Sequence, residues 1–102
     1  MNKYKFIAEY ISPEVITFNP SFIKKNTIEL VLESNRLFVR RLEREKHLIL
    51  IDLGWISQVN VNKKKDLITF KISTGEFRGK YIIYNFSHQN GIKELVNLLI
   101  KV

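Results

Sequence analysis

The sequence predicts a mainly β domain of the α+β class: a bent antiparallel barrel or sandwich of six to seven strands, capped by one C-terminal α-helix. Two observations predict this fold. Across residues 27–86, short runs of β-branched and aromatic residues alternate with turn residues. After them comes one amphipathic segment, in which Ile92, Leu95, Val96 and Leu99 share a helical face. A helix of this length would cover the open end of a curled sheet.

The length of 102 residues favours one domain, 1–102. Within it, residues 1–26 are an N-terminal extension of uncertain structure, 27–86 form the sheet and 87–101 the helix. The segment Tyr4–Ile11 fits both a strand and a helical face, and its alternation favours the strand.

The first clear strand is TIELVLES. Its alternation places Ile28, Leu30 and Leu32 in the core, while the opposite face should be mostly exposed to water. The pair Ser34-Asn35 predicts a turn, because asparagine tolerates left-handed backbone angles. The segment RLFVRRLER should then return as a second strand.

Four further strands follow. The run HLILIDL is apolar throughout, which predicts a buried strand that Gly54 breaks or bulges. The segments WISQVNV, DLITFKIS and GKYIIYNF complete the sheet. Ser87 is the expected N-cap of the helix, and Asn90 is the alternative, with the helix then beginning at Gly91.

Composition excludes several kinds of chemistry. The chain has no cysteine, so disulfides, thiolate metal sites and cysteine nucleophiles are excluded. His47 and His88 lie far apart without carboxylates at ligand spacing, so we expect no metal site, cofactor or catalytic group. No apolar run could span a bilayer and the N-terminus lacks an apolar signal segment, which predicts a cytoplasmic protein with attachment at the membrane surface as an alternative.

The net charge of +7 is unevenly distributed. The lysines and glutamates of residues 1–35 cancel, and the excess lies in two blocks, 36–46 and 63–80. Such blocks attract nucleic acid, anionic lipid or acidic proteins. A solvated surface rich in lysine for compositional reasons is the alternative.

Both blocks supply candidate binding residues. In the first block arginines recur every four residues with Phe38 and Leu42 between them, a pattern for holding an anionic partner or for lining a barrel rim. The second block places three lysines at a hairpin tip, joined by Lys71 and other cations on the following strands. The predicted anion-binding residues are Arg36, Arg40, Arg44, Lys63, Lys64, Lys65, Arg78 and Lys80.

The segment IDLGWISQVNV resembles small bacterial pleckstrin-homology-like and GRAM-like domains, with aliphatic residues at Ile51, Leu53, Ile56 and at two later places. Trp55 departs from the pattern, in which a short polar residue is usual. The segments LITFKISTGE and YIIYNFSHQNGIKELVNLLIKV resemble the next strand and the capping helix of those families. The resemblance covers residues 27–102 and implies a seven-stranded fold with one helix.

In pleckstrin-homology domains that bind phosphoinositides, the cations sit in a long loop between the first two strands. Taking Ser34-Asn35 as that loop, the sequence argues against such recognition, because the turn is tight. We therefore expect a non-catalytic module or inhibitor whose basic face binds an acidic protein, with self-association through a strand edge as a variant. Anionic membrane binding is the first alternative and nucleic-acid binding the second. No small-molecule substrate is expected.

Overall fold

The computed structural model describes residues 3–13, 26–42 and 48–100. They form seven strands, two short 3-10 turns and one α-helix. The strands are β1 (Lys3–Ile11), β2 (Asn26–Glu33), β3 (Arg36–Arg41), β4 (Ile49–Ile51), β5 (Ile56–Asn62), β6 (Leu67–Ile72) and β7 (Gly79–Tyr84). The helix is α1 (Ile92–Ile100).

The seven strands form one curled sheet in the order β4-β3-β2-β1-β7-β6-β5, and every neighbouring pair is antiparallel. The predicted mainly β fold with one C-terminal helix is confirmed. The inner, concave face of this half-barrel holds the hydrophobic core, and α1 adds Leu95 and Leu99 to that core. Of the helices in the described residues, none is long and apolar enough to cross a bilayer.

Strand β1 lies at the centre of the sheet. It pairs with β2 along eight residues and with β7 at Glu9–Ile11. Phe6, Ala8 and Tyr10 are buried in the core, so the alternation that favoured a strand is confirmed. Residues 3–11 are therefore part of the sheet and not of an N-terminal extension.

Strand β2 buries both of its faces. Ile28, Leu30 and Leu32 enter the core as predicted, but Glu29 and Val31 on the outer face are buried too. The expectation of a mostly wet outer face was wrong. The register places Val31 between Lys5 of β1 and Phe38 of β3, and strands on both sides shield a central strand in a way that alternation does not reveal.

The apolar run before Gly54 forms β4, and only part of it is buried. Ile51 lies in the core, whereas 52% of Leu50 is exposed on the outer face, so the prediction of a strand was right and that of a fully buried one was wrong. Gly54 lies in a 3-10 turn, Leu53–Trp55, and its N–H donates to Asp52 Oδ1 over 2.9 Å. The bulge lies further on, between Ser57 and Asn60 of β5.

The helix begins later than Ser87. A 3-10 turn covers Phe86–His88, and α1 begins at Ile92. Ser87 is not the N-cap, because its hydroxyl donates to Asp66 Oδ2 over 2.7 Å and its N–H to Asp66 Oδ1 over 3.1 Å. The carboxylate of Asp66 therefore binds the turn that precedes the helix to the β5–β6 hairpin.

Aromatic residues fill the core where β1 meets β7. Tyr81 stacks on Phe70 with ring centroids 5.0 Å apart, and Tyr10 lies 5.1 Å from Tyr81. The Tyr81 hydroxyl donates to the Phe77 carbonyl oxygen over 2.5 Å. Burial, followed by the field of Tyr10, raises the pKa of Tyr81 far above its usual range because the phenolate would lose its hydration.

One side chain extends the pairing of β1 with β7 after the two strands diverge. Gln89 Oε1 accepts the Ile7 N–H over 3.3 Å, and Gln89 Nε2 donates to the Tyr84 carbonyl oxygen over 2.9 Å. The amide thus connects the two strands as a peptide group would. Beside it, desolvation and a hydrogen bond with Glu9 raise the pKa of Tyr84.

Candidate functional site

The structure distributes the predicted anion-binding residues over three places. Arg36 and Arg40 lie on the outer face of β3, Lys63–Lys65 lie in the β5–β6 turn, and Arg78 and Lys80 lie at the start of β7. Arg44 lies outside the described residues. The eight side chains therefore do not form one continuous basic face.

Arg40 is engaged inside the protein. Its Nη2 lies 2.6 Å from Glu29 Oε1, and its Nε donates to the same oxygen over 2.8 Å. The two side chains are 17% and 11% exposed. A guanidinium held in this way has little capacity for an external anion, so the prediction of Arg40 as a binding residue is corrected.

Two other arginines lie near Arg40. Arg36 is exposed and lies directly opposite Glu33 across β2 and β3. Arg41, which the sequence argument passed over, lies on the other face, with its guanidinium carbon 5.7 Å from the centroid of the Phe77 ring. That distance fits a cation–π contact, so Arg41 packs against the domain.

The lysines of the β5–β6 turn point into solvent. Lys63, Lys64 and Lys65 are exposed, as predicted for a hairpin tip. The Asn62 side chain accepts the Lys65 N–H over 3.0 Å, which shapes the turn. Asp66, the one acid of the turn, binds Ser87. The three ammonium groups therefore present their charge to solvent.

Arg78 is also held by its own surroundings. Its carbonyl oxygen accepts the Tyr10 hydroxyl over 2.7 Å, and its Nη1 lies 3.4 Å from the Gly75 carbonyl oxygen. The backbone of Arg78 thus anchors the core at the start of β7, although its side chain is exposed.

A pair of lysines on the outer face of β6 and β7 is the most unusual electrostatic feature. Lys71 and Lys80 are direct cross-strand partners in a row that runs Ile11, Lys80, Lys71, Ser57 from β1 to β5. Both are exposed, and within the described part of the chain neither has an ion-pair partner. Like charges directly opposite each other destabilise a sheet, which an anion bound between them would reverse.

These two lysines border a cleft of about 530 Å³. The sheet supplies the amide side chains of Gln58 and Asn60 and the hydroxyl of Thr69, and Ile11 and Pro13 supply an apolar wall. No acidic residue lines this cleft. The size is that of a site for a small group or a side chain, and the donors suit an anion with an apolar neighbour.

Two backbone features shape the cleft. At Gly79 φ is +147°, and a Cβ there would overlap the Ile11 carbonyl oxygen, so glycine allows the end of β1 to lie close against β7. Gln58 has φ +54° at the bulge of β5, and bulges redirect side chains. Neither Gln58 nor Thr69 carried a sequence signal, because the bulge that orients them has no glycine.

The strand order also changes the significance of the Ser34-Asn35 turn. That turn joins β2 to β3, and the first two strands are joined by residues 12–25. The sequence argument against phosphoinositide recognition assigned the turn to the wrong connection. Residues 14–25 lie outside the described part of the chain.

Comparison with models of known protein families gives no match for this chain, and no curated protein is similar to it in sequence.

Proposed function

We propose that the protein is a non-catalytic binding module that holds an acidic segment of a partner protein. The Lys71–Lys80 pair would bind one carboxylate at the cleft, and Ile11 and Pro13 would contact the aliphatic part of that residue or its neighbour. The observation that carries the proposal is the direct opposition of two unpaired lysines beside a cleft without acids.

The distribution of acidic groups supports this proposal. Glu9, Glu29, Asp52 and Asp66 make hydrogen bonds within the domain, so they leave the lysines of the outer face without compensation. The tip lysines, Lys63–Lys65, are roughly 15–20 Å along the hairpin from Lys71, given about 3.3 Å per residue. An extended acidic segment of about five or six residues would reach from the cleft to the tip.

Two observations favour a protein over other anionic partners. Phe70, Phe77 and Tyr81 are buried, which leaves few aromatic rings on this half of the sheet for bases to stack on. The turn that carries the tip lysines has no apolar side chain to enter a bilayer.

The test is an NMR titration of the ¹⁵N-labelled protein with a short peptide of alternating glutamate and leucine. We expect the largest amide shifts at Gln58, Asn60, Lys71 and Lys80. Lys71→Glu should weaken binding about tenfold or more, since one reversed charge near a bound carboxylate costs at least about 1.4 kcal/mol. Lys93→Glu, at an exposed position of α1, makes the same charge change away from the cleft and should leave affinity within about twofold.

The same variants discriminate against the alternatives. Vesicles with anionic lipid and a DNA duplex are tested in parallel. Equal losses of peptide binding in Lys71→Glu and Lys93→Glu would reduce the interaction to net charge and refute the cleft. Tight binding of vesicles or duplex that Lys71→Glu does not change would refute the acidic partner.

We also infer membership of the pleckstrin-homology-like fold. Its support is the succession of seven antiparallel strands and one C-terminal helix, which agrees with the sequence resemblance. An experimental structure superimposed on known folds of this class is the test, and a different strand order would refute the membership.

A further inference from the structure

A second surface lies on the outer face of the other half of the sheet. Its members are Ile7, Phe38, Leu48 and Leu50, which we call the apolar patch. Ile7, Leu48 and Leu50 are 48%, 40% and 52% exposed, and Phe38 is half-buried. Phe38 and Leu50 are cross-strand partners, and the buried Val31 continues their row on β2.

The charges of this face differ from those of the lysine cleft. Its central ion pair, Arg40 with Glu29, is closed, so it offers no attraction to an acidic partner. At the rim Glu33 lies between Lys3 and Arg36 in one cross-strand row. Both signs of charge therefore lie beside the exposed apolar side chains.

We propose that the apolar patch is the contact between two copies of this chain, related by a two-fold axis. In a contact of this symmetry each surface meets itself, so a rim that holds both signs can place Arg36 of each copy near Glu33 of the other. The excess positive charge lies in the other half of each chain. This arrangement holds the two Lys71–Lys80 clefts apart and limits the repulsion between two molecules of charge +7.

The dimensions of the face predict a weak dimer. Four strands about 4.8 Å apart and six residues of about 3.3 Å make a face of roughly 15 by 20 Å. Such a contact falls below the usual size of a stable interface, about 800 Å² per partner. We therefore expect association with a dissociation constant between about 10 µM and about 1 mM.

The test is sedimentation equilibrium of the full chain across that range of concentration. The wild-type mass should rise from monomer towards dimer. Leu50→Lys should weaken association about tenfold or more, because it places two further cations in a two-fold contact. Ile7→Lys, on a different strand, should do the same. Ile100→Lys is the matched control, since Ile100 is 63% exposed on α1 outside the patch and its change should leave the dissociation constant within about twofold.

Every outcome decides the matter. A wild-type protein that stays monomeric at about 1 mM overturns the proposal. So does a dimer that Leu50→Lys and Ile7→Lys do not weaken, or one that Ile100→Lys weakens equally. Circular dichroism identifies a variant that fails to fold, and the two lysine variants lie on separate strands so that one remains informative.

Discussion

The ion pair between Arg40 and Glu29 should be a large contributor to stability. Replacing Arg40 with methionine keeps much of the apolar contact of the side chain and removes two hydrogen bonds to Glu29 Oε1, of 2.6 and 2.8 Å. Glu29 then remains as a carboxylate that is 11% exposed and has lost its counter-ion. We expect the free energy of unfolding to fall markedly.

The magnitude follows from burial. Removing one partner of a fully buried ion pair costs about 3–5 kcal/mol, and hydrogen bonds to charged groups contribute about 1.5–3 kcal/mol. Because both side chains keep some contact with water, the expected loss in Arg40→Met is about 2–4 kcal/mol. Replacing Glu29 with methionine as well should recover at least half of that loss, since no buried charge then remains.

Urea unfolding of the four proteins in a double-mutant cycle measures these values. Arg36→Met is the matched control on the same strand and face, and it should cost no more than about 0.5 kcal/mol because Arg36 is exposed. Equal losses in Arg40→Met and Arg36→Met would refute the reasoning. A double variant no more stable than Arg40→Met would show that the loss does not come from the isolated carboxylate.

Three further predictions concern the backbone, the core and the seam between β1 and β7. Gly91→Ala should destabilise by at least about 2 kcal/mol in urea unfolding, because φ is +81° and the new Cβ would overlap the Tyr4 ring, while Gly54→Ala should cost clearly less; equal losses would contradict this. Tyr81 holds its proton above the unfolded pKa of 10.0, so unfolding releases a proton and stability should fall as pH rises past 10.0; the fall should be smaller in Tyr81→Phe, and matching curves would refute it. Gln89→Glu cannot donate to the Tyr84 carbonyl, so it should cost about 1 kcal/mol and speed hydrogen exchange at the Ile7 amide, and unchanged exchange would refute the role of the amide.

The elements that the sequence predicted well are those with one consistent period. Alternation located the buried side of β2, and the stripe Ile92–Leu99 located the face of α1 that enters the core. Both depend on local spacing, because a side chain's direction in a strand or helix follows from its position. The strand preferred for Tyr4–Ile11 was also right, for the same reason.

The errors arose where neighbours decide the environment. Val31 is buried because β2 is central, and Leu50 is exposed because β4 is an edge strand. A sequence read along one chain does not show which strands flank which. Ser87 has the chemistry of an N-cap, but Asp66, distant in sequence, binds it instead.

The candidate site was predictable only in part. Lys71 and Lys80 were recognised as cations on neighbouring strands, but their opposition depends on the register of β6 with β7. Arg40 carried the same signal as Arg36, and only the burial of Glu29 distinguishes the two. Charge is visible in a sequence, whereas its compensation is a property of the folded molecule.

The limited pairing of β1 with β7 gives the domain one stiff end and one compliant end. Three consecutive residue pairs bind the strands beside the lysine cleft, whereas a single side-chain amide joins them at Ile7. Opening motions of the two halves should therefore concentrate at the amide, where the fewest bonds must break. The spacing between Ile11 and the two lysines is fixed by comparison, so a ligand there would meet a receptor that is already shaped for it and would lose little free energy in ordering it.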